Sequence, residues 1–136
     1  MRRLLVLSLF LSALLATACR APENPAQRYE RFAQAARDGD VGAVWAMLSK
    51  ASQDRIRARG KELEGGKPVP GVDLGPASLV LGDLAPTAPK VKKATVVRES
   101  QGQAVVAVEV EGGERGEVTL VREGKDWKVV LPGAER

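Results

Sequence analysis

The chain has 136 residues, no histidine and a single cysteine, Cys19. Without imidazole it lacks the side chain that titrates near neutral pH, the commonest zinc ligand and the usual base of nucleophilic triads. One cysteine cannot form an internal disulfide, and a thiolate metal site needs several. Aromatic residues are scarce: one Tyr, two Phe and two Trp. Charge of one sign is also lacking. The net charge is +4, part of it from Arg2 and Arg3, and the cations are scattered along the chain. Nucleic-acid binding needs a concentrated basic patch, so no nucleic-acid partner is expected. The glycines are not arranged as strand, Gly-rich turn and helix with Lys-Ser/Thr, which excludes a phosphate loop.

The longest apolar run is Leu4 to Leu15, broken only by Ser8 and Ser12. A membrane span needs about 20 apolar residues, so this run is too short. Met1-Arg2-Arg3 before it and Ala16-Thr17-Ala18 after it complete the anatomy of an export signal over residues 1–18. The end of this stretch resembles the lipobox of bacterial lipoproteins, in which a Cys is acylated and becomes the new N-terminus. Ala16 stands where Leu is usual, and Leu15 lies one position further back. Ala16-Thr17-Ala18 also fits an ordinary A-x-A cleavage site. The position of the lone cysteine decides for acylation, because an unpaired thiol in an oxidising compartment is a liability. Two or three acyl chains anchor stably where one holds only marginally. The resemblance implies a membrane-anchored protein at the periplasmic face. Arg20 in place of Asp favours the outer membrane over the inner.

Residues 19–25 then read as a tether and residues 26–136 as one domain. Asn24-Pro25 opens a helix, with Asn as N-cap, Pro at the first helical position and Gln27 at the third. Ala26, Tyr29, Phe32, Ala33 and Ala36 share one face at helical spacing. Asp38-Gly39-Asp40 stops this helix. Gly39 suits the left-handed position and Asp40 caps the next helix, whose inner face is Val41, Val44, Trp45 and Leu48, with Met47 at its edge. A third helix is predicted from after Ser52 to about Leu63. Its apolar face is thin, and it carries Arg55, Arg57, Arg59 and Lys61.

The stretch from Gly65 to Pro89 is rich in Gly and Pro, and one apolar run in it, Ser78 to Leu81, fits either a strand or a helical turn. The last third reads as strands: Val91 to Arg98, Gln103 to Val110, Glu117 to Arg122 and Trp127 to Leu131. Short Gly-containing breaks separate them, as in hairpins. Helices first and strands second predict an α+β domain, with N-terminal helices packed on a curved antiparallel sheet.

Three segments carry a further resemblance: Asp38-Gly39-Asp40, Trp45-Ala46-Met47-Leu48-Ser49, and Val121-Arg122-Glu123-Gly124-Lys125-Asp126-Trp127-Lys128-Val129. Over Pro25 to Pro132 the chain is similar to small bacterial lipoproteins of the nuclear transport factor two-like superfamily. That resemblance implies a curved sheet closed by helices into a cone. In some members the cone is an active site or ligand pocket; in many lipoprotein members no activity is known. Ketosteroid-isomerase-like members use an Asp base and a Tyr donor, and neither role matches a position in this chain.

The chemistry-bearing residues have simpler readings. Tyr29 lies on an apolar helix face and reads as core. Asp54 suits a helix start, and Asp73 and Asp83 are turn residues. Asp38 and Asp40 are caps, not a metal pair, since no third oxygen ligand is near in sequence. No cofactor and no catalytic residue is assigned. Lipid attachment at Cys19 is the principal site. Arg55, Arg57, Arg59 and Lys61 are kept as a contact for a partner or an anionic surface, against the default of a solvated helix face. The expected function is a non-enzymatic cell-envelope lipoprotein that binds an envelope protein or a small apolar ligand. The alternative is a ketosteroid-isomerase-like enzyme with the cone as its active site.

Overall fold

A computed structural model describes residues 21–62 and 90–134. The export signal, Cys19, the Gly/Pro-rich stretch with its Leu79-Val80-Leu81 run, Asp73 and Asp83 lie outside the described residues. Three helices precede four strands: α1 (Pro25–Arg37), α2 (Val41–Met47), α3 (Lys50–Glu62), β1 (Val91–Ser100), β2 (Gln103–Val110), β3 (Arg115–Glu123) and β4 (Asp126–Val130). The strands form one curved antiparallel meander in the order β1-β2-β3-β4, so the domain is α+β.

Helix α1 begins with a complete capping box. The Asn24 carboxamide accepts from the Gln27 amide at 2.9 Å, and the Asn24 amide donates to Gln27 Oε1 at 3.2 Å. It ends in a Schellman turn: Gly39 donates to Ala36 and Asp40 to Ala35, with Gly39 at φ 71°. Asp40 caps α2 through the Ala43 amide at 2.9 Å. α2 stops at Met47, and Leu48 turns extended to make a parallel bridge with Val129. The Ser49 amide then donates to the Val129 carbonyl at 2.9 Å. The α2–α3 link therefore pairs with β4 along part of its outer edge, where bare backbone groups would otherwise invite pairing with another chain.

This link also corrects the predicted start of α3. The helix begins at Lys50, not after Ser52, because Ser49 is its cap. Ser49 Oγ accepts from the Ser52 amide at 3.2 Å. The Lys50 amide donates to Glu123 Oε1 at 2.9 Å, so a carboxylate from β3 sits at the positive end of the helix. Asp54 therefore lies in the second turn.

Alternation sets the inner face of the sheet. Ala94, Val96, Ala104, Val106, Val108, Val118, Leu120, Trp127 and Val129 pack against Ala26, Tyr29, Phe32, Ala36, Val44, Met47 and Ile56 from the helices and Leu48 from the α2–α3 link. Met47 is core, not edge. Val106 and Leu120 are completely inaccessible. Each such aliphatic side chain contributes roughly 1.5–3 kcal/mol on burial. The β1–β2 turn is Gln101-Gly102, with φ 50° and 77°, the positive pair of a type I′ hairpin. The β3–β4 turn, Gly124-Lys125, puts Gly at φ 63° first, as type II′ requires. β1 carries two bulges, between Val91 and Lys93 and between Val96 and Arg98. Bulges bend a strand and blunt an edge.

Candidate functional site

The sequence-predicted cations of α3 do not form one surface. Arg57 is drawn to Asp54 at 3.3 Å and its guanidinium sits 4.9 Å over the Trp45 ring. Arg59 pairs with Glu62 at 2.9 Å. Arg55 lies against Gly133 of the C-terminal turn. Lys61 makes no ion pair among the described residues. Residues two apart on a helix point about 200° away from one another, so Arg55 and Arg59 share one side and Arg57 and Lys61 another. Asp54 and Glu62 neutralise part of each.

Groups with shifted titration are few and do not converge. Burial pushes the Tyr29 phenol up, so it stays protonated at neutral pH. Its ring packs 6.0 Å from Phe32. The exposed Asp54 carboxyl is held low by its hydrogen bond from Lys50, with Arg57 adding to the effect. Glu109 is likewise held low by Lys92, then Arg115, and Lys92 is raised in return by Glu109. These are surface ion pairs, not a poised acid and base. Asp38 accepts from Gln34 and Asp40 caps α2. Among the described residues no cluster of three or more potential metal ligands exists.

The most buried polar cluster is Ser49 and Ser52, at 1% and 0% exposure. Ser49 Oγ donates to Ser52 Oγ at 2.9 Å, Ser52 Oγ accepts the Leu131 amide at 2.8 Å, and it reaches the Val129 carbonyl at 3.5 Å. Both hydroxyl protons and three of the four lone pairs are used internally. The pair joins the start of α3 to the end of β4 and is committed to structure.

The outer face of the sheet is different. Register places Arg98, Val105, Thr119 and Val130 in one row across the four strands, with Gln103 and Val121 in the next. Val105 and Val130 are buried, yet they stand apart from the main core cluster. A groove of 170 Å³ opens here, with Thr119, Val121 and Val130 as its floor, Ala51 and Ala134 as walls, and Gln103 and Glu123 at the rim. Sequence reasoning did not single out these residues. The signal was present: Val105-Val106-Ala107-Val108, Val118-Thr119-Leu120-Val121 and Val129-Val130 are apolar at both parities. A strand exposed on one face alternates, whereas one covered on both faces does not.

A larger concavity runs between residues 21–23 and α1, past Gln27, Glu30, Arg31 and Gln34. It is an open polar trough, the wrong chemistry for a small-molecule site. No family model matches the chain, and no curated protein matches it. Among the described residues no helix is long and apolar enough to cross a membrane.

Proposed function

We propose that the chain is a cell-envelope lipoprotein, anchored through acylated Cys19, whose α+β domain binds an envelope protein at the outer face of its sheet. The observation that carries the binding reading is the filling of the inner face. Leu48, Val106, Leu120, Trp127 and Val129 occupy the space between helices and sheet. This leaves the interior to packing and favours an interaction module over the isomerase-like alternative. Small-molecule pockets usually enclose about 300–1,000 Å³. The outer groove, at 170 Å³, suits one or two apolar side chains of a protein partner. The helix-then-meander order and the buried Trp127 after the Gly124-Lys125 turn support the resemblance to the nuclear transport factor two-like cone. The sequence around Cys19 supports the periplasmic face of a membrane, the outer one by the Arg20 argument.

Two measurements test this reading. Intact mass of the membrane-extracted protein is expected to begin at Cys19 with diacylglycerol and an acyl chain added, and Cys19→Ala is expected to abolish membrane association. An unmodified mature mass refutes the anchor. A photo-crosslinking residue at Thr119 is expected to yield a discrete protein adduct in cells, and one at Gln34 on α1 is not. Adducts that do not depend on position refute the outer face as the binding surface.

A further inference from the structure

The tether does not leave the domain freely. Glu23 reaches both Arg28, at 3.0 Å to Nε, and Arg31, at 3.1 Å to Nη1. The Arg28 contact is ionic, because its angle is too poor for a hydrogen bond and Nε has no other partner. Arg28 also reaches Asp126 of the β3–β4 hairpin at 3.3 Å, which ties the helix start to the sheet. The capping box at Asn24 fixes the next residue. As a result residues 21–23 turn back along α1, and Ala21 and Pro22 border the same trough as Glu30, Arg31 and Gln34, about one and a half to two and a half turns into the helix.

Only Arg20 separates Ala21 from Cys19. At about 3.5 Å per residue, the lipid-bearing Cα stays within about 7 Å of Ala21. We infer that, in the acylated protein, the outer face of α1 lies on the bilayer surface and the outer face of the sheet points away from it. This rests on the acylation reading above. α1 packs on the inner face of the sheet, so the groove at Thr119 and Val121 is carried on the side away from the bilayer. The α1 face itself is Gln27, Glu30, Arg31 and Gln34, with Arg31 neutralised by Glu23. It has neither an apolar ridge to insert nor net positive charge to attract anionic lipid. It rests on the headgroups because the tether holds it there, so the orientation is independent of lipid charge. A domain drawn down by the α3 cations would depend on it.

Because the single native cysteine is blocked by lipid, an introduced cysteine is the only reactive thiol. Glu30→Cys on α1, Ala58→Cys on α3 and Glu117→Cys on the outer sheet face are all exposed positions. Each acylated variant is labelled with a small fluorophore and reconstituted into phosphatidylcholine vesicles bearing a headgroup-attached quencher, with and without phosphatidylglycerol. The label at 30 is expected to be quenched several-fold more than that at 117, unchanged by phosphatidylglycerol. Glu23→Gln is expected to shrink that contrast. Equal quenching at 30 and 117 overturns the inference. So does strongest, salt-sensitive quenching at 58, which assigns the membrane contact to α3. Contrast that survives Glu23→Gln refutes the tether as its cause. If acylation itself is wrong, the intact mass is unmodified and no position is quenched, which separates that failure from a wrong orientation.

Discussion

Replacing Ser52 by Ala isolates what the buried hydroxyl pair contributes. Ser52 is fully inaccessible, and its Oγ accepts from Ser49 and from the Leu131 amide. Loss of the hydroxyl leaves the half-buried Leu131 N–H without a partner. An orphaned buried donor costs about 1–3 kcal/mol. The Ser49 hydroxyl keeps the Ser52 amide as a donor to its oxygen, but its own buried proton loses its acceptor and adds to the cost. Ser52→Ala is therefore expected to destabilise by about 2 kcal/mol. Ser49→Ala removes a helix cap and should cost about 1 kcal/mol. The two act on one network, so the double variant should fall short of the sum by about 0.5–1 kcal/mol. Urea unfolding of the Cys19→Ser protein, followed by Trp fluorescence, measures all three. A loss under about 0.5 kcal/mol for Ser52→Ala, the range of an ordinary surface substitution, would refute the claim that this hydroxyl ties α3 to β4.

Other expectations follow from the core, a turn and the surface pairs. Leu120→Ala empties a fully buried site at the centre of the sheet and should cost about 2–5 kcal/mol in the same unfolding assay. Gly102→Ala adds a Cβ that meets only Arg122 Cβ at 3.8 Å, an ordinary contact. Its cost is the left-handed backbone alone, about 1–2 kcal/mol, and a neutral result would mean the turn relaxes. Lowered carboxyl values imply stability that is present above the unfolded value, 4.5 for Glu109, and is lost as pH falls through the folded one. Glu109→Gln should therefore flatten the acid limb of the stability profile without altering the plateau shape near neutrality. On the alkaline side, the raised Lys92 contributes below its unfolded value and loses that contribution as pH rises through the folded one. NMR titration of Glu109 in a Lys92→Met variant checks the pairing, and an unchanged titration curve would sink it.

The helices were readable because their ends carry side-chain chemistry. Asn24, Pro25 and Gln27 specify a start, and Gly39 specifies a stop, independently of tertiary contacts. β2 was readable to the residue, Gln103 to Val110, because a Gly-containing turn bounds each end. The start of α3 was misplaced for a tertiary reason. Leu48 is drawn into a bridge with Val129, which makes Ser49 the cap, and no local pattern announces a single-residue pairing across 81 positions of chain. β1 and β3 each run one or two residues past their sequence limits, since charged residues at a hairpin base pair as well as apolar ones do. The groove was missed because apolar residues at both parities were read as strong strand signal alone. They also state that two faces are covered.

The basic run on α3 shows why the phase of a helix has to be settled before its charge is interpreted. Arg55, Arg57, Arg59 and Lys61 look like a four-cation patch when written in a line. That spacing has the period of a strand, and in a strand the four would share a face. On a helix each step of two turns the side chain about 200°, so the run divides between opposite sides. The structure then engages three of the four. Arg57 lies on Trp45 and beside Asp54, Arg59 is matched by Glu62, and Arg55 covers Gly133. Exposed pairs of this kind contribute little stability, typically about 0.2–1 kcal/mol each, yet they remove the field that would attract an anionic surface. An attraction summed over four aligned cations falls to that of one or two unmatched ones, at about 1 kcal/mol per Lys or Arg near an anionic membrane. That is weaker than an acyl anchor, where each buried CH₂ contributes about 0.8 kcal/mol. On the proposed reading, the lipid and the Glu23 clamp, not the basic helix, would govern how the chain meets its membrane.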